Sequence, residues 1–289
     1  MSDILIVSLS VESAKFAPPE DHNQASMTII DTHSHLYDEA FDEDREEALQ
    51  RCLDAGVEHL LLPAIDSESH EAMFDLARRH ASCCTPMMGL HPTSINDNPH
   101  WREELALVEQ YLQQPPAELR PFCAIGEIGL DFYWSQDFMQ EQIEAFRQQI
   151  EWSLQYDLPI AVHTRSAWAE TVELLREFKG RGVRGVLHAY SDTVDTYHEL
   201  KTLGDFVFGI GGVVTFKKSN VAEVVREMDL HDIVLETDCP YLTPVPYRGK
   251  RNESSYVVYT CQKVAELKGL TPEEVATQTT RNAKRMFAL

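Results

Sequence analysis

Two histidines stand two positions apart in Ile-Ile-Asp-Thr-His33-Ser-His35, directly behind a short apolar run. Residues two apart in an extended segment point the same way, so both imidazoles can face one divalent cation. Four further donors recur in the same setting, each close behind its own apolar run: Glu127 in Ala-Ile-Gly-Glu, His163 in Ile-Ala-Val-His, His188 in Val-Leu-His and Asp238 in Val-Leu-Glu-Thr-Asp. Taken singly these are weak signs. A lone His-x-His is a poor predictor of metal, a single histidine more often sits on a hydrogen-bonded rim, and a carboxylate can cap a helix or shape a turn. As a set they are hard to explain by packing, because buried imidazoles and carboxylates lose stability unless a cation compensates them.

One divalent ion takes about three or four protein ligands and keeps a position open. The six donors therefore suit two cations, with His33, His35 and Asp238 on one, His163 and His188 on the other, and Glu127 shared. Two cations roughly 3.5–4 Å apart can hold a hydroxide and stabilise both the attacking and the leaving oxygen of a phosphoryl transfer. Asp238, beside that water, is the natural general base and so the catalytic residue. Mixed nitrogen and oxygen ligation suits Zn²⁺ or Mn²⁺, with Mg²⁺ open to looser, partly aqueous sites.

What positions these residues is a rhythm along the chain. Apolar runs recur at Met27–Ile30, His59–Ile65, Thr85–Leu90, Phe122–Ile125, Leu158–Val162, Val183–Leu187, Phe206–Ile210 and Ile233–Leu235. Amphipathic stretches such as Asp42–Ala55, Ser67–His80, Asp137–Tyr156 and Ala167–Lys179 separate them. Continuous apolar runs suit parallel strands covered on both faces. Eight of them, with no Gly-x-Gly-x-x-Gly turn after the first, favour a closed barrel over an open doubly wound sheet. The expected fold is α/β, a single (β/α)₈ TIM barrel with a metal site at the C-terminal strand ends. It should span residues 27–289 and end in two helical stretches, Ser254–Lys268 and Pro272–Phe287. Residues 1–26, rich in Ser, Glu, Pro and Asp, read as a poorly ordered extension, with translation starting at Met1 or Met27.

The charge balance excludes some functions. With 25 Lys and Arg against 47 Asp and Glu, the net charge of −22 lacks the basic footprint of a protein that coats duplex nucleic acid. A phosphate substrate would have to be drawn in locally, by metal ions and a few cations. The six cysteines show no Cys-x-x-Cys spacing and read as thiols kept reduced in a cytoplasm. No stretch approaches the roughly 20 apolar residues of a membrane span. No stable protein partner stands out, so a monomer is the default expectation.

Other residues suit substrate better than metal. His91 could meet a substrate phosphate or cap the turn that follows it. Arg165, two beyond His163, could clamp a phosphate in a bidentate manner. Arg248, Lys250 and Arg251 in Tyr247–Asn252 are the densest positive charge in the chain, and Lys217 and Lys218 make a lesser pair. Each pair or loop could instead be solvated surface. Glu236, two before Asp238, could orient a ligand from behind. Trp134 could stack on a base, as aromatics do in single-strand binders, or pack as core or lid. Trp168 reads as helix packing.

The chain resembles the TatD family of metal-dependent deoxyribonucleases, within the amidohydrolase-like barrels. The resemblance runs from about Met27 to the C-terminus. It is carried by Asp31-Thr-His-Ser-His35, Gly89-Leu-His-Pro92, Ile125-Gly-Glu-Ile-Gly-Leu-Asp131, Val162-His163, Leu187-His188, Leu235-Glu-Thr-Asp-Cys-Pro-Tyr-Leu-Thr-Pro244 and Arg248-Gly-Lys-Arg-Asn-Glu253. It implies Mg²⁺- or Mn²⁺-dependent release of nucleotides from DNA ends, often 3′ to 5′. It also implies His33, His35, Glu127, His163, His188 and Asp238 as ligands, with Glu127 where many relatives of the barrel class carry a carboxylated lysine. Ser254-Ser255 departs from the pattern, where a proline is expected, in what reads as a substrate loop. The leading expectation is thus an exodeoxyribonuclease acting on nucleic acid ends or nucleotides with a metal-bound hydroxide. The alternative is hydrolysis of another bond in the same barrel, such as an aminoacyl-tRNA ester, an amide or a lactone. A non-catalytic scaffold would not keep the complete ligand set.

Overall fold

Strands and helices alternate in the computed structural model, which describes residues 27–289; the expected N-terminal extension, residues 1–26, lies outside them. The strands are β1 (Ile29–Asp31), β2 (Val57–Leu62), β3 (Cys84–Pro86), β4 (Ile125–Asp131), β5 (Ile160–Arg165), β6 (Arg184–Leu187), β7 (Asp205–Ile210) and β8 (Ile233–Leu235). The helices between them are α1 (Arg45–Asp54), α2 (Ser67–Arg79), α3 (Trp101–Gln113), α4 (Met139–Tyr156), α5 (Trp168–Glu177), α6 (Val194–Leu200) and α7 (Val221–Glu227). Two more, α8 (Val257–Lys268) and α9 (Pro272–Phe287), follow β8. Each of the eight apolar runs overlaps one strand.

All pairings are parallel, in two blocks ordered β1-β2-β3 and β4-β5-β6-β7-β8. The ladders do not form one continuous ring, but single hydrogen bonds span both seams. The Thr32 N–H donates to the Leu235 carbonyl and the His35 N–H to that of Cys239, each at 3.0 Å. On the other seam, Met88 N–H donates to Ala124 at 3.2 Å and Gly126 N–H to Met88 at 3.0 Å. The fold is a (β/α)₈ barrel with its seams held by isolated bridges.

Period-two alternation divides the apolar side chains between two cores. Ile30, Leu61, Met87, Ala124, Ala161, Val186, Val207 and Val234, one from each stave, pack together inside the barrel. Their neighbours Ile29, Leu60, Leu62, Ile160, Val162, Leu187, Phe206, Phe208, Ile233 and Leu235 join the outer core beneath the helices. Ala283, Met286 and Phe287 of α9 plug the inner core from below. Asn282 and Thr280 dock that helix on the strand starts, donating to the carbonyls of Ile233 and Thr28. With one end plugged, the open end is the C-terminal face.

One strand lies differently from expectation. The fourth run ends where β4 begins, because β4 continues through Gly126, Glu127 and Gly129, which interrupt the apolar signal. Those glycines are needed for close strand approach: a Cβ at Gly129, with φ +139°, would sit 2.0 Å from the His163 carbonyl oxygen. Glu127 and His163 therefore project from within β4 and β5, not from their ends. All six cysteines are buried and free. No helix among the described residues is long and apolar enough to cross a membrane.

Candidate metal centre

The turns leaving β1, β6 and β8 and the inner faces of β4 and β5 deliver the six expected donors to one place. His33 Nε2 lies 3.2 Å from His35 Nε2 and 3.1 Å from Glu127 Oε2. Asp238 Oδ1 approaches His35 Nε2 at 3.5 Å, His188 Nε2 at 3.7 Å and His33 Nε2 at 3.9 Å. The other Glu127 oxygen, Oε1, faces His163 Nδ1 at 2.9 Å, His91 Nε2 at 3.5 Å and His188 Nε2 at 3.8 Å. One buried carboxylate thus divides the donors, Oε2 toward the first histidine pair and Oε1 toward the rest. His163 and His188 meet only through that oxygen, their ring centroids being 6.3 Å apart.

Hydrogen-bond partners fix which ring nitrogens carry lone pairs. The Tyr37 hydroxyl donates its only proton to the Pro63 carbonyl, so at 2.8 Å it must accept from His35 Nδ1–H. That leaves the lone pair of His35 on Nε2, aimed at the cluster. His91 has the opposite tautomer. Its Nδ1 accepts from the Thr93 backbone N–H at 3.2 Å, so the neutral ring holds its proton on Nε2, facing Glu127. His91, Glu127 and His163 are close enough to hold an ion, but this tautomer makes His91 a hydrogen-bond donor into the site and not a ligand. His163 points Nε2 at Asp131 Oδ2, 3.0 Å away.

Charge in the cluster follows from these contacts. Burial alone would raise the Glu127 carboxyl, but the imidazoles of His33 and His91 and hydrogen bonds with His163 and His33 hold it well below the usual carboxylate range. Asp238 is lowered in the same way, burial being outweighed by His188, His35 and His33. Burial and the His188 ring stacked on it at 3.5 Å push His33 down. Burial likewise lowers His91, as its neutral tautomer requires. For His163, burial is outweighed by Asp131 and Glu127, which raise it to about 9. For His188, burial is outweighed by Glu236 and Asp238, which raise it to about 10. The donor set, four imidazoles around two ionised carboxylates, fits divalent cations, which on binding would displace the protons that His163 and His188 otherwise hold.

Around this centre the other expected residues fall into two groups. Glu236, buried, lies 3.0 Å from His188 Nδ1, out of line for a hydrogen bond, and its Oε1 accepts from Ala189 N–H at 2.7 Å. Arg165, Arg248 and Lys250 do not touch the six donors. Arg165 stacks on Tyr133 with its guanidinium carbon 3.7 Å from the ring centre, and Arg248 stacks on Phe216 at 3.8 Å. Lys250 lies over Tyr247 at 5.6 Å. Arg251, counted with that basic loop in the sequence, is not available to a substrate: both its terminal nitrogens bind Asp44 at 2.7 Å. Nor is Ser254 on a substrate loop. It is buried, with its hydroxyl 2.9 Å from that of Ser34 and 3.5 Å from Cys239 Sγ, tying the β1 and β8 turns together.

Tyr37 and Asp131 were not singled out by sequence reasoning. Asp131 had a signal, since it stands four after Glu127 on one strand and even spacing shares a face. Tyr37 had none. Tyr37→Phe should leave the fold intact and free the His35 ring to turn. Metal affinity should fall about ten- to a hundred-fold, as losing such an orienting partner does. Calorimetric titration with Mn²⁺ checks this, and unchanged affinity would deny Tyr37 the orienting role.

A (β/α)₈ barrel with imidazoles and carboxylates converging at its C-terminal face defines a metal-dependent hydrolase of the amidohydrolase-like class. The family model for TatD related DNases matches residues 30–288, and the chain belongs to this family. It is 35% identical over 266 residues to YabD, an uncharacterized metal-dependent hydrolase of Bacillus subtilis, covering 90% of this chain and 99% of that one. It is 28% identical over 267 residues to the 3′-5′ ssDNA/RNA exonuclease TatD of Erwinia tasmaniensis, with 90% and 100% covered. The crystal structure of YJJV, a TatD homolog from Escherichia coli, superposes with a TM-score of 0.81 at 26% identity, over 90% of this chain and 98% of that one.

Proposed function

We propose that this hydrolase removes nucleotides from the 3′ ends of single-stranded nucleic acid, DNA above all, with two divalent cations (Mg²⁺, Mn²⁺ or Zn²⁺). The observation that carries the reading is the division of Glu127, whose two oxygens face separate sets of donors. His33, His35 and Asp238 would hold one cation, His163 and His188 the other, and Glu127 both. When bound, such a pair supplies Lewis-acid activation of a phosphoryl group and of the attacking water.

The chain's own groups supply the rest. Asp238, ionised and the most exposed of the two carboxylates, accepts the proton of the attacking water. His91 Nε2–H donates toward a phosphoryl oxygen, the tautomer being set by Thr93. Arg248 and Lys250 draw the phosphodiester in, and neither is engaged in an ion pair among the described residues. Glu236, behind His188, keeps that ring in place by charge.

With Mg²⁺ or Mn²⁺, a 5′-labelled single-stranded oligonucleotide should shorten stepwise into a ladder, and a chelator should stop it. Intact strands beside chelator-sensitive cleavage of an aminoacyl ester, amide or lactone would sink the reading. Arg248→Gln with Lys250→Gln should raise KM about ten-fold, the size of one lost charge-assisted hydrogen bond of roughly 1.5 kcal/mol, at unchanged metal content. An unchanged KM would return that loop to solvated surface.

A further inference from the structure

Among the described residues, eight large apolar side chains are exposed, and five of them (Tyr133, Trp134, Tyr241, Leu242 and Val245) lie in the loops that leave β4 and β8 on the metal-centre face. Trp134 is 67% and Tyr133 56% exposed, although both residue types normally bury most of their surface. Their rings stand at 87° with centroids 5.0 Å apart. The Arg165 guanidinium fills the angle between them, 3.7 Å from the Tyr133 ring centre and 5.3 Å from that of Trp134. No carboxylate among the described residues pairs with this arginine, nor with Arg248, in a chain of net charge −22 where Arg45, Arg51 and Arg251 are all paired.

This group is tied to the metal centre by one side chain. Asp131 accepts from the Tyr133 backbone N–H through Oδ1 at 3.0 Å and holds His163 Nε2 through Oδ2 at 3.0 Å. The loop that carries the two rings is therefore anchored on a side chain that touches the cluster. The surface offers flat π faces and one uncompensated cation, which suits a ligand that alternates flat rings with negative charge. An unpaired polynucleotide strand is such a ligand. A duplex keeps its bases stacked inside, and its dense backbone charge meets the unfavourable field of the protein.

We propose that Tyr133, Trp134 and Arg165 form a stacking platform for a base of single-stranded nucleic acid, with the guanidinium meeting the adjacent phosphate. The proposal rests on the reading of the metal centre as a nuclease site and adds to it the reason for single-strand preference. A base lies on the exposed Trp134 face, while Arg165 stays stacked on Tyr133 and directs its free N–H groups outward.

The test compares wild type with Trp134→Ala and Trp134→Phe in Mn²⁺, on an oligothymidylate and on the same strand carrying abasic sugars. Trp134→Ala should raise KM for the intact strand about ten-fold at unchanged kcat, and Trp134→Phe should retain most of the affinity. Removing bases should weaken the wild type by a similar factor and add nothing to the loss in Trp134→Ala. Strand binding is read separately, by quenching of tryptophan fluorescence in Ca²⁺. If both proteins cut intact and abasic strands alike, the platform is overturned and the nuclease reading survives. If the strand quenches Trp134 but is never cut, the nuclease reading is overturned and the platform stands. A wild type that neither binds nor cuts the strand overturns both.

Discussion

Asp238→Asn should lower kcat by about three orders of magnitude on whatever substrate this site cleaves, within the range seen when a general base is removed. The residue is unusually suited to the test. Its backbone sits in the left-handed region, φ +56°, which asparagine and aspartate tolerate better than other side chains. Its backbone N–H donates to the His33 carbonyl at 2.9 Å, a bond the substitution leaves alone. Asparagine also keeps one side-chain oxygen where Oδ1 now faces His35 at 3.5 Å, so weakened ligation is separable from lost basicity. A ligand defect is relieved by raising the metal concentration, whereas a missing base is not. Steady-state rates across a Mn²⁺ series, with circular dichroism as the control for folding, decide between them. Recovery to the wild-type rate in excess metal would remove Asp238 from the role of base and leave it a ligand alone.

The strands and the candidate donors that converge were legible in the sequence for one shared reason. A strand buried on both faces must be apolar throughout, so a histidine or carboxylate at its end stands out against the run before it. His33, His188 and Asp238 are read in this way, each just beyond its strand. The method weakens where a strand is not uniformly apolar. β4 runs through Gly-Glu-Ile-Gly-Leu-Asp, and its continuation to Asp131 was hidden by residues that are small for close approach or polar for the site. Asp131 was overlooked with it. Partners at long sequence distance were illegible for a different reason. Nothing near Arg251 announces that Asp44 will neutralise it, and nothing near His35 says which proton Tyr37 must accept. These depend on how turns from different staves meet, which no local pattern encodes. The same limit hid the aromatic partners of Arg165, which was read as a phosphate clamp without the Tyr133 and Trp134 rings it stacks on.

On the proposed two-cation reading, Glu127→Gln should reduce bound metal from two equivalents to one or none and depress turnover by about three orders of magnitude, because a shared ligand would serve both ions at once. The substitution changes almost no volume at a position that is only 2% exposed, so packing is not what is tested. What changes is charge and donor character. An amide has one acceptor oxygen, and its nitrogen can only donate. Whichever way it turns, one of the two faces now served by Oε2 toward His33 and Oε1 toward His163 meets an N–H group. One side keeps a weak neutral ligand, and the other loses its ligand and gains a repulsive dipole. A substitution on one side only, such as His188→Ala, should instead weaken but not abolish the ion that His33, His35 and Asp238 would hold, since those three donors remain while the ring stacked on His33 at 3.5 Å and the contact with Asp238 Oδ1 at 3.7 Å are lost. The contrast between the two variants is therefore the measurement: elemental analysis of each after equilibrium dialysis against Mn²⁺. If Glu127→Gln retained two equivalents, the donors would be two independent sets that happen to adjoin, and a shared carboxylate would no longer explain why β4 breaks its apolar run to place a glutamate among five imidazoles.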